Sequence, residues 1–293
     1  MTAKVISVSS NKGGVLKTSM VTNIAGVLAS KGKRVLIIDT DSQSNVALTF
    51  GHNPDEFESM FKCTLYDLLT DEEGTWDARE AIYNLDHNLD AIATDDRMIQ
   101  FEFNVLIGID RYTNEPIGQF KLLKRVIEPL KEHYDFIILD TPPNLGLMQG
   151  NILMATDEII IPYQPEVYAM RSLMKTLDMF NQFKEDFNHN LEIIGVVPTM
   201  VRANTMIHRN LLSILKAHSQ VYGYKIARNH IPNSIQYPAT VSAENGPITI
   251  TRPKTKLAKV YVDLVKELGI LEVNNNGKEN ERIGRKEERI DSN

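Results

Sequence analysis

Residues 9–19 read Ser-Ser-Asn-Lys-Gly-Gly-Val-Leu-Lys-Thr-Ser and follow the apolar run Val5-Ile6-Ser7-Val8. Gly13 and Gly14 free the backbone to turn N–H groups onto an anion. A helix starting just after them adds the positive end of its dipole. Lys17 has the reach for the outer phosphates of a nucleotide, and the Thr18 hydroxyl can hold Mg²⁺. Two further apolar runs end in aspartate: Val35–Ile38 leads into Asp39-Thr40-Asp41, and Phe136–Leu139 into Asp140-Thr141-Pro142-Pro143. Asp140, at a strand end beside a phosphate loop, is expected as the outer Mg²⁺ carboxylate. Asp39 and Asp41, two residues apart on extended chain, are expected to point in similar directions, one toward a metal-bound water and one toward the attacking water.

These residues need strands to carry them to one edge. Val5–Val8, Val35–Ile38, Leu89–Ala93, Phe136–Leu139, Glu158–Ile161 and Ile193–Val197 read as strands. Helical spacing is predicted over Met20–Ser30, Leu65–Leu69, Trp76–Tyr83, Ile117–His133 with its last turn interrupted at Pro129, Tyr168–Phe187, Ile207–His218 and Thr255–Leu268. Strands that are apolar throughout and alternate with helices imply an α/β fold: a doubly wound, mostly parallel sheet flanked by helices on both faces. In such a sheet the strand C-termini share one edge, and ligands bind there. Phe101–Pro116 lacks a clear period and is expected to be an insertion or lid-like loop. One domain over residues 1–272 and a polar, disordered tail over 273–293 are predicted.

The bulk numbers narrow the class. A chain of 293 residues is long enough for one large α/β domain or two small ones. No apolar run approaches the roughly 18 residues of a membrane span, and the chain enters a strand at once, so no signal peptide is expected. The single cysteine, Cys63, excludes an intrachain disulfide, an Fe–S cluster or a Cys-rich zinc site, and is expected to be a packed small residue. Together these predict a cytoplasmic protein. The net charge is −6, yet Ile193–Val262 holds nine basic residues and one acidic one, leaving 23 basic and 37 acidic elsewhere. An acidic body with one basic region suits a polyanionic partner.

Lys12-Gly13-Gly14-Val15-Leu16-Lys17-Thr18 resembles the deviant Walker A loop of the ParA/MinD P-loop ATPases, usually Lys-Gly-Gly-x-Gly-Lys-Thr. The Asp-x-Asp-x-Gln-x-Asn at 39–45, Tyr134–Pro143, Pro162-Tyr163-Gln164-Pro165-Glu166 and Ile231-Pro232-Asn233 are similar to the partition branch of that family. The resemblance covers residues 3 to about 270, with its motifs in family order.

The resemblance implies a role for each position. Lys12 would cross an ATP-sandwich homodimer to the partner's phosphates, while Gly13, Gly14, Val15, Leu16, Lys17, Thr18 and Ser19 would cradle ATP. Asp41 would position the hydrolytic water, with Asp39 near the metal. Thr18, Asp39 and Asp140 would serve Mg²⁺, and Met200 and the Pro232 loop would touch adenine. The activity implied is slow ATP hydrolysis, stimulated by a centromere-binding, ParB-like adaptor. The implied setting is the nucleoid, where the dimer binds double-stranded DNA without sequence preference.

Two departures stand out. Leu16 replaces the usual glycine, and is expected to fit if its backbone angles stay negative with the side chain turned into the core. Asn233 and Gln236 stand where the family often carries DNA-binding arginines, so Arg202, Arg228, Arg252, Lys254 and Lys256 are the expected DNA contacts. A nucleotide-binding regulator with little hydrolysis, suggested by Leu16, is the first alternative. A MinD-like membrane-surface ATPase is the second, although the tail has only Ile283 and Ile290 as large apolar residues. With the phosphate loop near residue 11, no DNA-reading helix-turn-helix domain is expected ahead of it.

Overall fold

The computed structural model describes residues 2–71, 73–107, 118–144 and 146–271. Seven strands form one sheet: β1 Lys4–Val8, β2 Val35–Asp39, β3 Ile82–Asp86, β4 Leu89–Ile92, β5 Phe136–Asp140, β6 Glu158–Tyr163 and β7 Glu192–Pro198. Their order is β3-β4-β2-β5-β1-β6-β7. Every neighbouring pair is parallel except β3–β4. The described α-helices are α1 Lys17–Ala29, α2 Asn45–Thr49, α3 Phe57–Met60, α4 Leu65–Thr70, α5 Phe101–Ile107, α6 Leu122–Ile127, α7 Leu147–Ala155, α8 Ala169–Asp186, α9 Met206–Tyr222, α10 Gln236–Glu244, α11 Ile248–Thr251 and α12 Lys256–Glu267.

β1, β2, β5 and β6 are buried on both faces, and their alternate residues divide between two cores. Ile6, Val8, Ile37, Ile138 and Ile160 pack with α1 and α12 on one face. Val5, Leu36, Ile38, Ile137 and Leu139 pack with α4, α6 and α7 on the other. Ile159 and Ile161 continue that second face onto α8 and α9. α1 is wrapped on nearly all sides, because α11 lies directly against it. Gly26 permits the approach, since a Cβ there would sit 2.7 Å from Thr249 Oγ1. Asn23 seals the contact, its Oδ1 accepting from the Thr249 N–H at 3.2 Å while its Nδ2 donates to Ser19 O at 2.7 Å.

Three expectations are corrected. Trp76–Tyr83 is not a helix: one 3-10 turn, Ala78–Ala81, leads into edge strand β3, which pairs antiparallel with β4. The helix expected over Ile117–His133 is shorter: a 3-10 turn, Gly118–Phe120, precedes α6 at Leu122–Ile127, while the interruption expected at Pro129 falls in a second 3-10 turn, Glu128–Leu130, where the missing proline N–H is harmless. Phe101–Pro116 is not all loop: Phe101 and Val105, four apart on α5, are buried, and the Glu102 carboxylate accepts the Met148 N–H at the start of α7. Residues 108–117 lie outside the described part, as does the predicted tail.

Candidate nucleotide-binding site

The register sets the site. Val8, Asp39 and Asp140 align across β1, β2 and β5, so the loop after β1 and the two aspartate ends meet at one edge. The loop then feeds α1. Gly14 has φ +70°, a conformation that glycine adopts without strain. Leu16 also has φ +70°, so the expected negative angles are not observed. The leucine takes up the glycine conformation, at about 1–2 kcal/mol for a side chain in the left-handed region. Its side chain packs partly against the α1 core, as expected. The backbone path of the loop is therefore kept, and Leu16→Gly is expected to change ATP affinity by about tenfold or less, read by calorimetric titration. A variant that binds ATP where wild type does not would show that Leu16 disables the loop.

Lys17 is buried, its ammonium donating to Lys12 O at 3.3 Å. Burial lowers its pKa, and the charges of Asp140 and Asp41 oppose that shift. The Thr18 hydroxyl donates to Asp140 Oδ2 at 2.5 Å, and Thr141 N–H to Asp140 Oδ1 at 3.1 Å. Complete burial pushes the Asp140 carboxyl up to about 7, against the opposing pull of Thr18 and Lys17. Asp39 is pushed well above the ordinary carboxylate range, first by burial and then by Asp140.

Asp39 and Asp41 are placed differently. Asp39 is buried, and its two oxygens accept the Asp41 N–H and the Val46 N–H, each at 3.0 Å. It thereby anchors the turn and the start of α2, which corrects the expectation that both carboxylates face a ligand. Asp41 instead lines a cavity of about 410 Å³ beside the phosphate loop. Gly13, Gly14, Leu16, Lys17, Thr18 and Ser19 line the same cavity. Val15 is buried and is not among the residues lining it.

Lys12 is not among the residues lining that cavity. Its ammonium meets Glu166 Oε2 at 2.5 Å and Gln164 Oε1 at 3.3 Å, in the turn before α8. Met200 and Pro232 also lie away from the cavity wall: Pro232 is bridged to Val201, and Met200 precedes that bridge. The apolar wall is Leu48 of α2 with Tyr237, Val241 and Pro247. Sequence reasoning missed these, because α10 and the segment after it have no strong helical period. Of the expected DNA contacts, Arg202, Arg228, Lys254 and Lys256 are exposed, but Arg252 forms an ion pair with Glu244. Cys63 is buried, and burial pushes its thiol up to about 11, as suits a packed rather than a reactive cysteine.

A parallel sheet, a glycine loop feeding a helix, a buried lysine and a threonine–aspartate contact define a P-loop nucleotide-binding protein. The comparisons refine the class. A family model described as an AAA domain matches residues 3–193. The chain is 33% identical to the sporulation initiation inhibitor protein Soj of Bacillus subtilis, over 90% of this chain and 98% of Soj. It is 27% identical to the chromosome partitioning protein ParA of Caulobacter vibrioides, over 90% and 93% of the two chains. A Borrelia burgdorferi B31 chain assigned to plasmid partition and solved with AMPPNP superposes with a TM-score of 0.71 at 26% identity, over 92% of this chain and all of that one. Cobyrinic acid a,c-diamide synthase of Mycobacterium smegmatis, solved with ADP and magnesium, shares the fold with a TM-score of 0.73 at 24% identity, over 90% and 93%. The chain belongs to the ParA/MinD superfamily of P-loop ATPases, in its partition branch.

Proposed function

We propose that this chain is a DNA-partition ATPase: a slow ATP hydrolase that forms an ATP-bound homodimer and binds double-stranded DNA without sequence preference at the nucleoid. A centromere-binding, ParB-like adaptor would stimulate hydrolysis. The observation that supports this most is the division of labour between the two loop lysines. Lys17 sits inside the cradle with Thr18 and Asp140, where it would neutralise the phosphates. Lys12 lies outside that cavity, paired with Glu166, and would reach a neighbouring subunit on release from that pair. Among the described residues, no helix is long and apolar enough to cross a membrane.

ATP and Mg²⁺ fit the residues present. The cradle has glycine N–H groups, a buried cation and a threonine hydroxyl against a buried carboxylate, which is a donor set for polyphosphate and a hard cation. Thr18 would hold Mg²⁺ directly and Asp140 through Thr18 and water; Asp39, with both oxygens engaged, would support α2 instead. Bound Mg²⁺ supplies charge neutralisation on the phosphates. Asp41, at the cavity wall, would orient water in line with the terminal phosphate. The adenine would lie against Tyr237, Val241 and Pro247, with Met200 and Pro232 reached only if that loop rearranges.

DNA binding would draw on Arg202, Arg228, Lys254 and Lys256, with Arg252 largely offset by Glu244. Replacing Arg252, Lys254 and Lys256 together with Ala is expected to weaken binding alike on all sequences. It should also flatten the plot of log affinity against log salt by about two units per subunit, since each lost phosphate contact removes about 0.9. ATPase activity without DNA should be unchanged. Salt titrations with ATP, ADP or no nucleotide test this, and a wild type that binds no DNA with any nucleotide contradicts the partition reading.

A further inference from the structure

Lys12 joins two parts of the molecule. Its carbonyl oxygen accepts from the Lys17 ammonium at 3.3 Å. Its own ammonium reaches the turn between β6 and α8, where it meets Glu166 Oε2 at 2.5 Å and Gln164 Oε1 at 3.3 Å. The chain on either side of this contact is held. The Lys12 N–H donates to Ser10 Oγ at 3.3 Å, and the Asn11 side-chain oxygen accepts from the Ser172 hydroxyl of α8 at 2.7 Å. In the facing turn, the Ala169 N–H donates to Glu166 O at 3.0 Å, and Pro165 fixes a backbone angle. What can move without rebuilding either loop is the four-carbon stem of Lys12.

The surroundings decide what can draw that stem away. Lys12 and Glu166 share a recess of about 580 Å³, and Glu166 is the only carboxylate among the described residues lining it. Pro165, Val167, Tyr168 and Ile207 make much of the remaining wall, so no second anion there competes for the lysine. Neither Gln164 nor Glu166 lines the nucleotide cavity, so nucleotide in the same subunit does not displace them. A polyphosphate presented by a second subunit offers more charge and more acceptor oxygens than one carboxylate. Breaking the pair strands no buried charge, because the Lys12 and Glu166 side chains are 34% and 50% exposed.

We infer that Glu166 is a positioning residue that sets the threshold for nucleotide-dependent dimerisation. It holds Lys12 in its own subunit until a partner's polyphosphate takes the ammonium over. This rests on the homodimer reading above and adds to it a brake and the residue that supplies it. Magnitude decides the kind of brake. An ion pair this exposed is worth a factor of about 1.4 to 5 in an equilibrium constant. A two-fold dimer breaks two of them, so the factor becomes about 2 to 30. That shifts the concentration at which subunits pair without forbidding the pairing. Gln164 offers the same ammonium a neutral acceptor, so a carboxylate at that position should deepen the brake.

Two measurements on the full chain test this. In the first, nucleotide-free protein is treated with a limiting amount of N-hydroxysuccinimide acetate, and acetylation of Lys12 is read by mass spectrometry against exposed Lys31. Glu166→Gln should speed acetylation of Lys12 by about twofold or more, with Lys31 unchanged. In the second, sedimentation velocity with AMPPNP and Mg²⁺ gives the dimer dissociation constant. Glu166→Gln should tighten the dimer by about 2- to 30-fold, and Gln164→Glu should loosen it by about twofold or more. Glu166→Asp keeps the charge and should lie closer to wild type than Glu166→Gln does. Equal acetylation of Lys12 in wild type and Glu166→Gln shows that the pair does not hold Lys12 in solution, and overturns the inference. Faster acetylation with an unchanged dimer constant also overturns it, while a wild type that still dimerises leaves the homodimer reading standing. If neither wild type nor Glu166→Gln dimerises with AMPPNP, the homodimer reading falls and the inference falls with it.

Discussion

Asp41→Ala is expected to abolish ATP turnover while leaving ATP binding intact. Asp41 lines the cavity beside Lys17 and Thr18, with its Oδ1 accepting the Gln43 N–H at 3.1 Å and its other oxygen unassigned to the backbone. A carboxylate so placed acts on the water, whose orientation matters mainly in the transition state. Losing a positioned proton acceptor lowers rates by roughly 10²–10⁴. Lys17→Ala should behave differently. Lys17 is the buried cation of the cradle, so its loss removes binding of substrate and transition state alike. Single-turnover kinetics and equilibrium titration on the two variants separate these outcomes. Turnover by Asp41→Ala at the wild-type rate would remove Asp41 from the proposed mechanism.

The contrast between Asp41 and Asp39 shows what the chain makes legible and what it hides. Both stand at the end of an apolar strand in an Asp-x-Asp pattern, and nothing in their types distinguishes them. The difference lies in the turn that follows. Ser44 takes φ +48° and starts α2 at once, so the N–H of Val46 points back at Asp39. A five-residue helix leaves too little period to be read from sequence. The same limit hid α10 and α11, and with them the Tyr237, Val241 and Pro247 wall. The long buried strands were plain, because both-sided burial needs unbroken Val, Ile and Leu. β3 was obscured because it is an edge strand: Asn84 is exposed, only Tyr83 is fully buried, and a 3-10 turn runs directly into it. The Leu16 substitution was visible, but its consequence depended on a backbone angle that residue type alone does not determine.

The same carboxylates tie the site to the stability of the fold. Asp39 and Asp140 are register partners on adjacent strands and both are buried, with Lys17 as the nearby cation. Polyphosphate and a divalent cation would favour their ionised forms; without them, burial favours the neutral ones. The site is thus arranged for a ligand at some expense to the empty protein, a common conflict between activity and stability.

Asp140→Asn should therefore stabilise the nucleotide-free, metal-free protein. The folded-state value of Asp140 is raised from 3.8 to about 7, so folding takes up a proton in the window between them. For an acid shifted upward, stability is fullest below about pH 4, falls as pH rises toward 7, and is level above that. The shift corresponds to an order of 4 kcal/mol at pH 8, shared in part with Asp39. Asn keeps an oxygen that can accept from the Thr18 hydroxyl and carries no charge to bury. The variant should unfold several degrees above wild type at pH 8, with the gap closing by pH 4, in thermal melts with chelator present. It should also lose the stabilisation that ATP and Mg²⁺ give the wild type. A gap that widens toward acid pH would mean that Asp140 is ionised in the empty protein and that Lys17, rather than burial, governs its charge.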